Sequence, residues 1–228
     1  MIEQIKPSIV VVATYAKTRS PVYAIRGAGF VVGNGNLIAT NAHVIPNSLN
    51  SEIDETLMVI VPTSRQGPQQ RAAKIVVTDP AHDLALLRIE GTPLPAMVLH
   101  SGGPIREGQS VAFTGFPIGN VLGLSPVTHR GIVSAITQVA IPSATAHQLN
   151  SKVIKRLKSG SFEVYQLDGT AYPGNSGGPL YEMEKGEVIG IINMVFVKGT
   201  KESALTHPSG ISFAIPVRYL QELIGDLR

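Results

Sequence analysis

The chain alternates short apolar runs, rich in Val and Ile, with clusters of Gly, Pro, Asn and Ser. In the first half these runs read "SIVVVAT" (8–14), "GAGFVV" (27–32), "NLIAT" (36–40), "LMVIVPT" (57–63), "AKIVVTD" (73–79) and "LALLRI" (84–89). In the second half they read "QSVAFTG" (109–115), "GIVSAIT" (131–137), "SFEVYQLD" (161–168), "EVIGIINM" (187–194) and "ISFAIP" (211–216). β-Branched runs of this length between turn formers predict strands. Many strands with few helices predict an all-β barrel or sandwich. Two segments carry helical spacing instead: "ATAHQLNSKVIKRLK" (144–158) and the tail "PVRYLQELIGDLR" (216–228). The tail is expected to form a terminal helix laid over the barrel surface, with Pro216 at its first helical position. A turn-rich stretch, "LHSGGPIREGQS" (99–110), divides the chain into halves that each suffice for a small barrel. No internal repeat is visible.

Composition narrows the class without changing this picture. The 228 residues are 43% hydrophobic and only 15% charged. A chain of this size buries roughly 70% of its unfolded surface, so a compact domain with little disordered tail is expected. There is no cysteine, which removes disulfides and thiolate chemistry. The net charge of +3 is weak, and its one cluster, "SKVIKRLKSG" (151–160), lacks interleaved aromatics. That reads as a solvated helix face and argues against a nucleic-acid partner. No run of 18 apolar residues occurs, so no membrane span is expected. The N-terminal "MIEQIKPSIV" has neither the charge nor the apolar core of a signal peptide.

The candidate chemistry begins at "AYPGNSGGPL" (171–180), where Ser176 sits among three glycines and two prolines. A serine hydroxyl needs an adjacent base, and a third group to orient that base, before it attacks a carbonyl. It also needs N–H donors for the oxyanion that forms. Gly174 can take a backbone conformation closed to other residues, letting the N–H groups of Gly174 and Ser176, helped by that of Asn175, converge on one point. Gly177 and Gly178 are expected to let a substrate chain approach closely. A base is available in "IATNAHVI" (38–45) as His43, and an orienting carboxylate in "TDPAHDLALLRI" (78–89) as Asp83. A carboxylate heading so apolar a strand needs a specific hydrogen bond, and an imidazole Nδ1–H would supply it. Taken singly, each also reads as a turn, cap or structural residue; together, in the order His, Asp, Ser, they match one known triad order.

"TNAHV", "HDLALLRI" and "GNSGGPL" in this order resemble the trypsin-like serine peptidases, and specifically their HtrA/Deg branch. "GAGFVV", "RGIVSAI" (130–136) and "GEVIGI" leading to "GISFAIP" strengthen the resemblance, which runs from about residue 7 to residue 225. It implies two perpendicular six-stranded β-barrels, residues 1–104 and 105–228, the second carrying the terminal helix. His43 and Asp83 would come from the first barrel, Ser176 and the oxyanion hole from the second. The implied activity is endopeptidase cleavage of unfolded or misfolded polypeptides through an acyl-enzyme, with no metal or cofactor. A chaperone-like peptide-binding module on the same fold is the alternative.

By the same resemblance, Thr170, Ala171, Asn193, Met194, Val195, Phe196 and Ile211 would line the pocket for the residue preceding the cut, P1. None is acidic, so a small or medium aliphatic P1 is expected; Met194, Phe196 and Ile211 read equally well as core residues. Loops at 115–130, 140–161 and 197–210 occupy the positions of the family's activation loops. The PDZ domains usual in this branch have no counterpart within the 228 residues. Assembly is either monomeric or trimeric, the latter through Tyr15, Val22, Tyr23 and Ile25. The family suggests an extracytoplasmic location.

Overall fold

The structure, a computed structural model, describes residues 1–62, 67–117, 124–138, 162–193 and 210–227. The helical reading of 144–158 and the pocket candidates Met194, Val195 and Phe196 lie outside the described residues. Twelve strands form two closed barrels. The first holds β1 (Ile9–Tyr15), β2 (Tyr23–Val32), β3 (Leu37–Asn41), β4 (Thr56–Val61), β5 (Gln69–Asp79) and β6 (Leu84–Ile89). The second holds β7 (Ser110–Gly115), β8 (Val127–Gln138), β9 (Glu163–Asp168), β10 (Pro179–Glu182), β11 (Val188–Asn193) and β12 (Ile211–Pro216). A short helix α1 (Ile2–Ile5) precedes the first barrel, and α2 (Val217–Gly225) follows the second. No helix among the described residues is long and apolar enough to cross a membrane.

All strand pairs are antiparallel, and the two barrels share one strand order. Around the first it runs β1-β2-β3-β6-β5-β4; adding six to each number reproduces the cyclic order of the second. The sequence carries no repeat, so the likeness lies in topology alone.

The apolar runs are continuous because both strand faces are covered, as in any sheet buried on two sides. In β1, Val10 and Val12 point into the first barrel with Val31, Ile38 and Leu87. Val11 and Ala13, on the opposite face, join a cluster that also holds Phe30, Leu84 and Leu86 of the first barrel and Phe116, Tyr181, Ile191 and Ile215 of the second. That cluster is the seam between barrels. Val111, Phe113, Leu167, Leu180 and Ile189 fill the second interior.

The pattern misses β10, a four-residue strand without a β-branched side chain. Its Pro179 is the strand's first residue, where a missing N–H is tolerated. Helix α2 begins one residue later than expected: Pro216 closes β12 in extended conformation and precedes the first helical turn. Val217, Leu220 and Leu223 are its buried face.

The connection between barrels is tied down rather than free. Met97 N–H donates to the Val31 carbonyl, His100 N–H to Val188, and Val188 N–H to Val98. From α2, Gln221 Nε2 donates to the His100 carbonyl at 3.0 Å. The His100 ring closes the clip: Nδ1 faces Glu187 Oε2 at 2.8 Å and Nε2 faces the Gly103 carbonyl at 3.0 Å. Both partners only accept, so both ring nitrogens donate and the ring carries two protons. The Gly103 carbonyl foremost, then Glu187 and Glu182, raise the His100 pKa against the opposing effect of burial. A raised folded value stabilises the fold fully below the ordinary histidine value of about 6.5 and is lost as pH rises through the raised value. Thermal stability is therefore expected to fall as pH rises above about 6.5 in the parent, and His100→Gln to lose part of that slope. An unaltered slope in the variant would count against the clip.

Candidate active site

β3 ends at Asn41, and the chain enters a single 3₁₀ turn, Ala42–Val44, that carries His43. Across the barrel, Asp79 closes β5 and organises the turn that follows. Its Oδ1 accepts the N–H groups of Ala81 and His82 at 3.0 and 3.2 Å, a local side-chain-to-backbone turn. Asp83 then adopts φ 55°, a left-handed conformation that Asp tolerates better than most residues. This turns its carbonyl towards β3, where Asn41 Nδ2 and the Ala42 N–H donate to it at 3.1 and 3.0 Å.

The Asp83 side chain points the other way, towards His43, and is only 3% exposed. Oδ1 accepts the His43 backbone N–H at 2.9 Å, and Oδ2 faces His43 Nδ1 at 2.6 Å. Because a carboxylate only accepts, Nδ1 carries a proton towards it, and in the neutral ring Nε2 is left with its lone pair. A third donor arrives from the second barrel: Asn193 Nδ2 bonds Asp83 Oδ2 at 2.7 Å. Burying a carboxylate costs several kcal/mol unless it is paired and hydrogen-bonded; here each oxygen is.

Ser176 follows a tight turn at residues 172–175, closed by the Asn175 N–H on the Tyr172 carbonyl at 2.9 Å. Pro173 and Gly174 are its central residues, and Gly174 has φ 104°. Proline second and a positive-φ glycine third is the signature of a type II turn. Type I and type II turns differ by a flip of the central peptide, so Gly174 sets which way its own N–H faces. Among the described residues neither the Gly174 nor the Ser176 N–H has a hydrogen-bond acceptor. The expectation of three converging donors is corrected here: the Asn175 N–H is taken up inside the turn.

The same loop is stitched to both barrels. Ala28 N–H of β2 donates to the Ser176 carbonyl at 2.8 Å, and Gly177 N–H donates to Ile192 of β11 at 3.0 Å. Gly177 has φ 84°, and a Cβ there would lie 2.2 Å from the Ala28 carbonyl oxygen and 2.3 Å from Thr40 Oγ1. Gly177 and Gly178 are thus required by the protein's own backbone. Gly177 packs against β2 and Gly178 against the Thr114 carbonyl of β7.

The structure brings His43, Asp83 and Asn193 into direct contact and ties the Ser176 backbone beside β2. It forms no hydrogen bond between the Ser176 hydroxyl and the His43 ring among the described residues. Catalytic hydrogen bonds are often long before substrate binds. Of the pocket candidates, Ala171 is buried, with its N–H on Ser212 Oγ at 2.8 Å. Thr170 is half-buried, while Ile211 is exposed at the head of β12. Asn193 is fully buried, and its Nδ2 donates to Asp83 Oδ2 at 2.7 Å.

The trypsin-like peptidase domain family matches residues 27–191, a span that takes in His43, Asp83 and Ser176. The chain belongs to that family. Its similarity to named proteins narrows the branch. This peptidase domain is 32% identical over 202 residues to a probable periplasmic serine endoprotease, DegP-like, of Pseudomonas fluorescens, covering 89% of this chain and 35% of the relative. It is 34% identical over 201 residues to the mitochondrial serine protease HTRA2 of Drosophila pseudoobscura pseudoobscura, covering 88% and 39%. With serine protease HTR4 of Rattus norvegicus it shares 30% identity over 230 residues, covering 99% and 39%. The peptidase domain thus spans little more than a third of the length of these HtrA/Deg relatives.

Proposed function

We propose that this chain is a serine endopeptidase that hydrolyses peptide bonds of unfolded polypeptides through an acyl-enzyme. Ser176 is the nucleophile. His43 takes its proton through Nε2 and later delivers it to the leaving amine. Asp83 fixes the ring's tautomer and stabilises the imidazolium. The N–H groups of Gly174 and Ser176 receive the oxyanion. The observation that carries this reading is the 2.6 Å contact of His43 Nδ1 with a buried carboxylate that itself accepts three donors. A histidine held that way in the family's fold, with two N–H groups unclaimed near a serine, has the parts of acyl transfer.

The described pocket candidates Thr170, Ala171 and Ile211 bear no charge, which supports a small or medium aliphatic P1 residue. The Pseudomonas relatives are named periplasmic, and an extracytoplasmic setting is part of the proposal. One observation favours a second reading, a peptide-binding module with a silent centre: the missing hydrogen bond between Ser176 and His43.

A fluorophosphonate probe separates the two. The first reading expects labelling of the parent that peptide mapping assigns to Ser176, together with faster cleavage of denatured than of folded casein. Absence of both labelling and cleavage would give the second reading the field.

A further inference from the structure

The turn that carries Asp83 is gripped from the second barrel at a point apart from Asn193. His82, its immediate neighbour, turns its ring outward from the first barrel onto Tyr219 of α2. The two rings stack with centroids 4.1 Å apart at 17°. Phe162, just before β9, meets the His82 ring edge-on at 5.0 Å and 79°, and meets Tyr219 at 5.7 Å and 84°. Three rings from three distant segments therefore close on one another.

Each ring is itself fixed. His82 Nδ1 lies 2.5 Å from Asp79 Oδ2, the carboxylate whose other oxygen shapes the 80–83 turn. The Tyr219 hydroxyl accepts the Glu163 N–H at 3.2 Å and Arg218 Nη2 at 3.0 Å. Arg218 also pairs with Glu163 at 2.9 Å, which holds the start of α2 to the start of β9. The Asp79–His82 unit belongs to the first barrel; the Phe162, Glu163, Arg218 and Tyr219 unit belongs to the second. The His82 stack joins them.

We propose that His82 and Tyr219 are positioning residues for the reaction, acting through Asp83. Asp83 and His43 stand on one barrel and Ser176 on the other, so catalytic geometry depends on how the barrels register. Asp83 is in a left-handed conformation, which persists only where its surroundings over-determine it. Asn193 fixes the carboxylate, and the ring stack fixes the residue next to it. Together they hold the turn at two points to the barrel that carries the serine. An offset-stacked ring pair contributes specific geometry beyond burial, and displacements near 1 Å at a reacting centre cost on the order of 100-fold in rate.

This inference rests on the endopeptidase reading, and the test keeps the two apart. The full chain and its His82→Ala, Tyr219→Ala and Tyr219→Phe variants are assayed for kcat and KM on denatured casein. The rate of fluorophosphonate labelling at Ser176 and thermal unfolding are measured on the same samples. Both alanine variants are expected to lose roughly 10- to 100-fold in kcat and in labelling rate, with KM little changed and the fold intact at the assay temperature. Tyr219→Phe keeps the stack and is expected to stay within about twofold of the parent. The double alanine variant should lose no more than the worse single one, because one contact is removed in each. Parental kcat and labelling in folded His82→Ala or Tyr219→Ala would overturn the proposal, as would additive losses in the double variant. Should an alanine variant fail to fold, His82→Leu, which keeps volume without the aromatic face, takes its place under the same criteria. A parent that neither cuts nor labels would instead remove the endopeptidase reading itself.

Discussion

Ser176→Ala is expected to lower casein cleavage by roughly 10⁴- to 10⁶-fold, the size of loss that follows removal of a triad nucleophile, while thermal unfolding stays near the parent's. The reason stability should survive lies in how the loop is held. Its anchors are backbone groups: the Ser176 carbonyl on Ala28, the Gly177 N–H on Ile192, and the Gly178 N–H on Asn175. The Ser176 hydroxyl takes part in none of them. Removing it deletes one atom from a small buried site and leaves every anchor in place. Residual cleavage above this range, with the fluorophosphonate still attaching elsewhere, would mean that another nucleophile does the work.

Asp83→Asn should have the second-largest effect, about 10⁴-fold in kcat, the loss seen for the corresponding change in a Ser-His-Asp enzyme. Asparagine is isosteric and also tolerates positive φ, so the backbone at φ 55° is kept. The side chain cannot satisfy its neighbours. Three donors converge on the carboxylate: the His43 N–H on Oδ1, and His43 Nδ1 with Asn193 Nδ2 on Oδ2. A carboxamide that keeps oxygen towards the His43 backbone presents its NH₂ to both ring and amide. It then donates to Nδ1, which moves the ring proton to Nε2 and leaves no lone pair for the serine proton. The measurement is kcat on casein beside the labelling rate, and both should fall together. A variant with parental kcat would remove Asp83 from the mechanism.

How far the sequence alone reaches can be read from particular residues. Strands whose two faces are both covered, such as β1 and β6, appear as unbroken apolar runs, which makes them easy to find. β10 escapes because its partners supply its burial: Tyr181 is fully buried and its hydroxyl bonds Thr114 of β7, a partner that no local pattern reveals. His43, Asp83 and Ser176 stand out because each is locally odd, a polar group in apolar or glycine-rich surroundings. Asn193 is just as odd, the last residue of a wholly buried strand, yet local pattern gives no direction for its side chain. Its partner Asp83 lies 110 residues away in sequence. His82 gives no signal at all, since its stacking partners Phe162 and Tyr219 arrive from distant segments. Gly177 and Gly178 read in the sequence as room for a substrate chain, and only the barrel's backbone shows what a side chain there would strike.

The clasp on the Asp83 turn draws its second half from segments made well after that turn: β11 supplies Asn193 and α2 supplies Tyr219. A nascent polypeptide leaving the ribosome therefore completes its histidine-bearing barrel long before it can hold the aspartate in register. On the endopeptidase proposal, full activity is then reached only once β11 and α2 have docked on that turn.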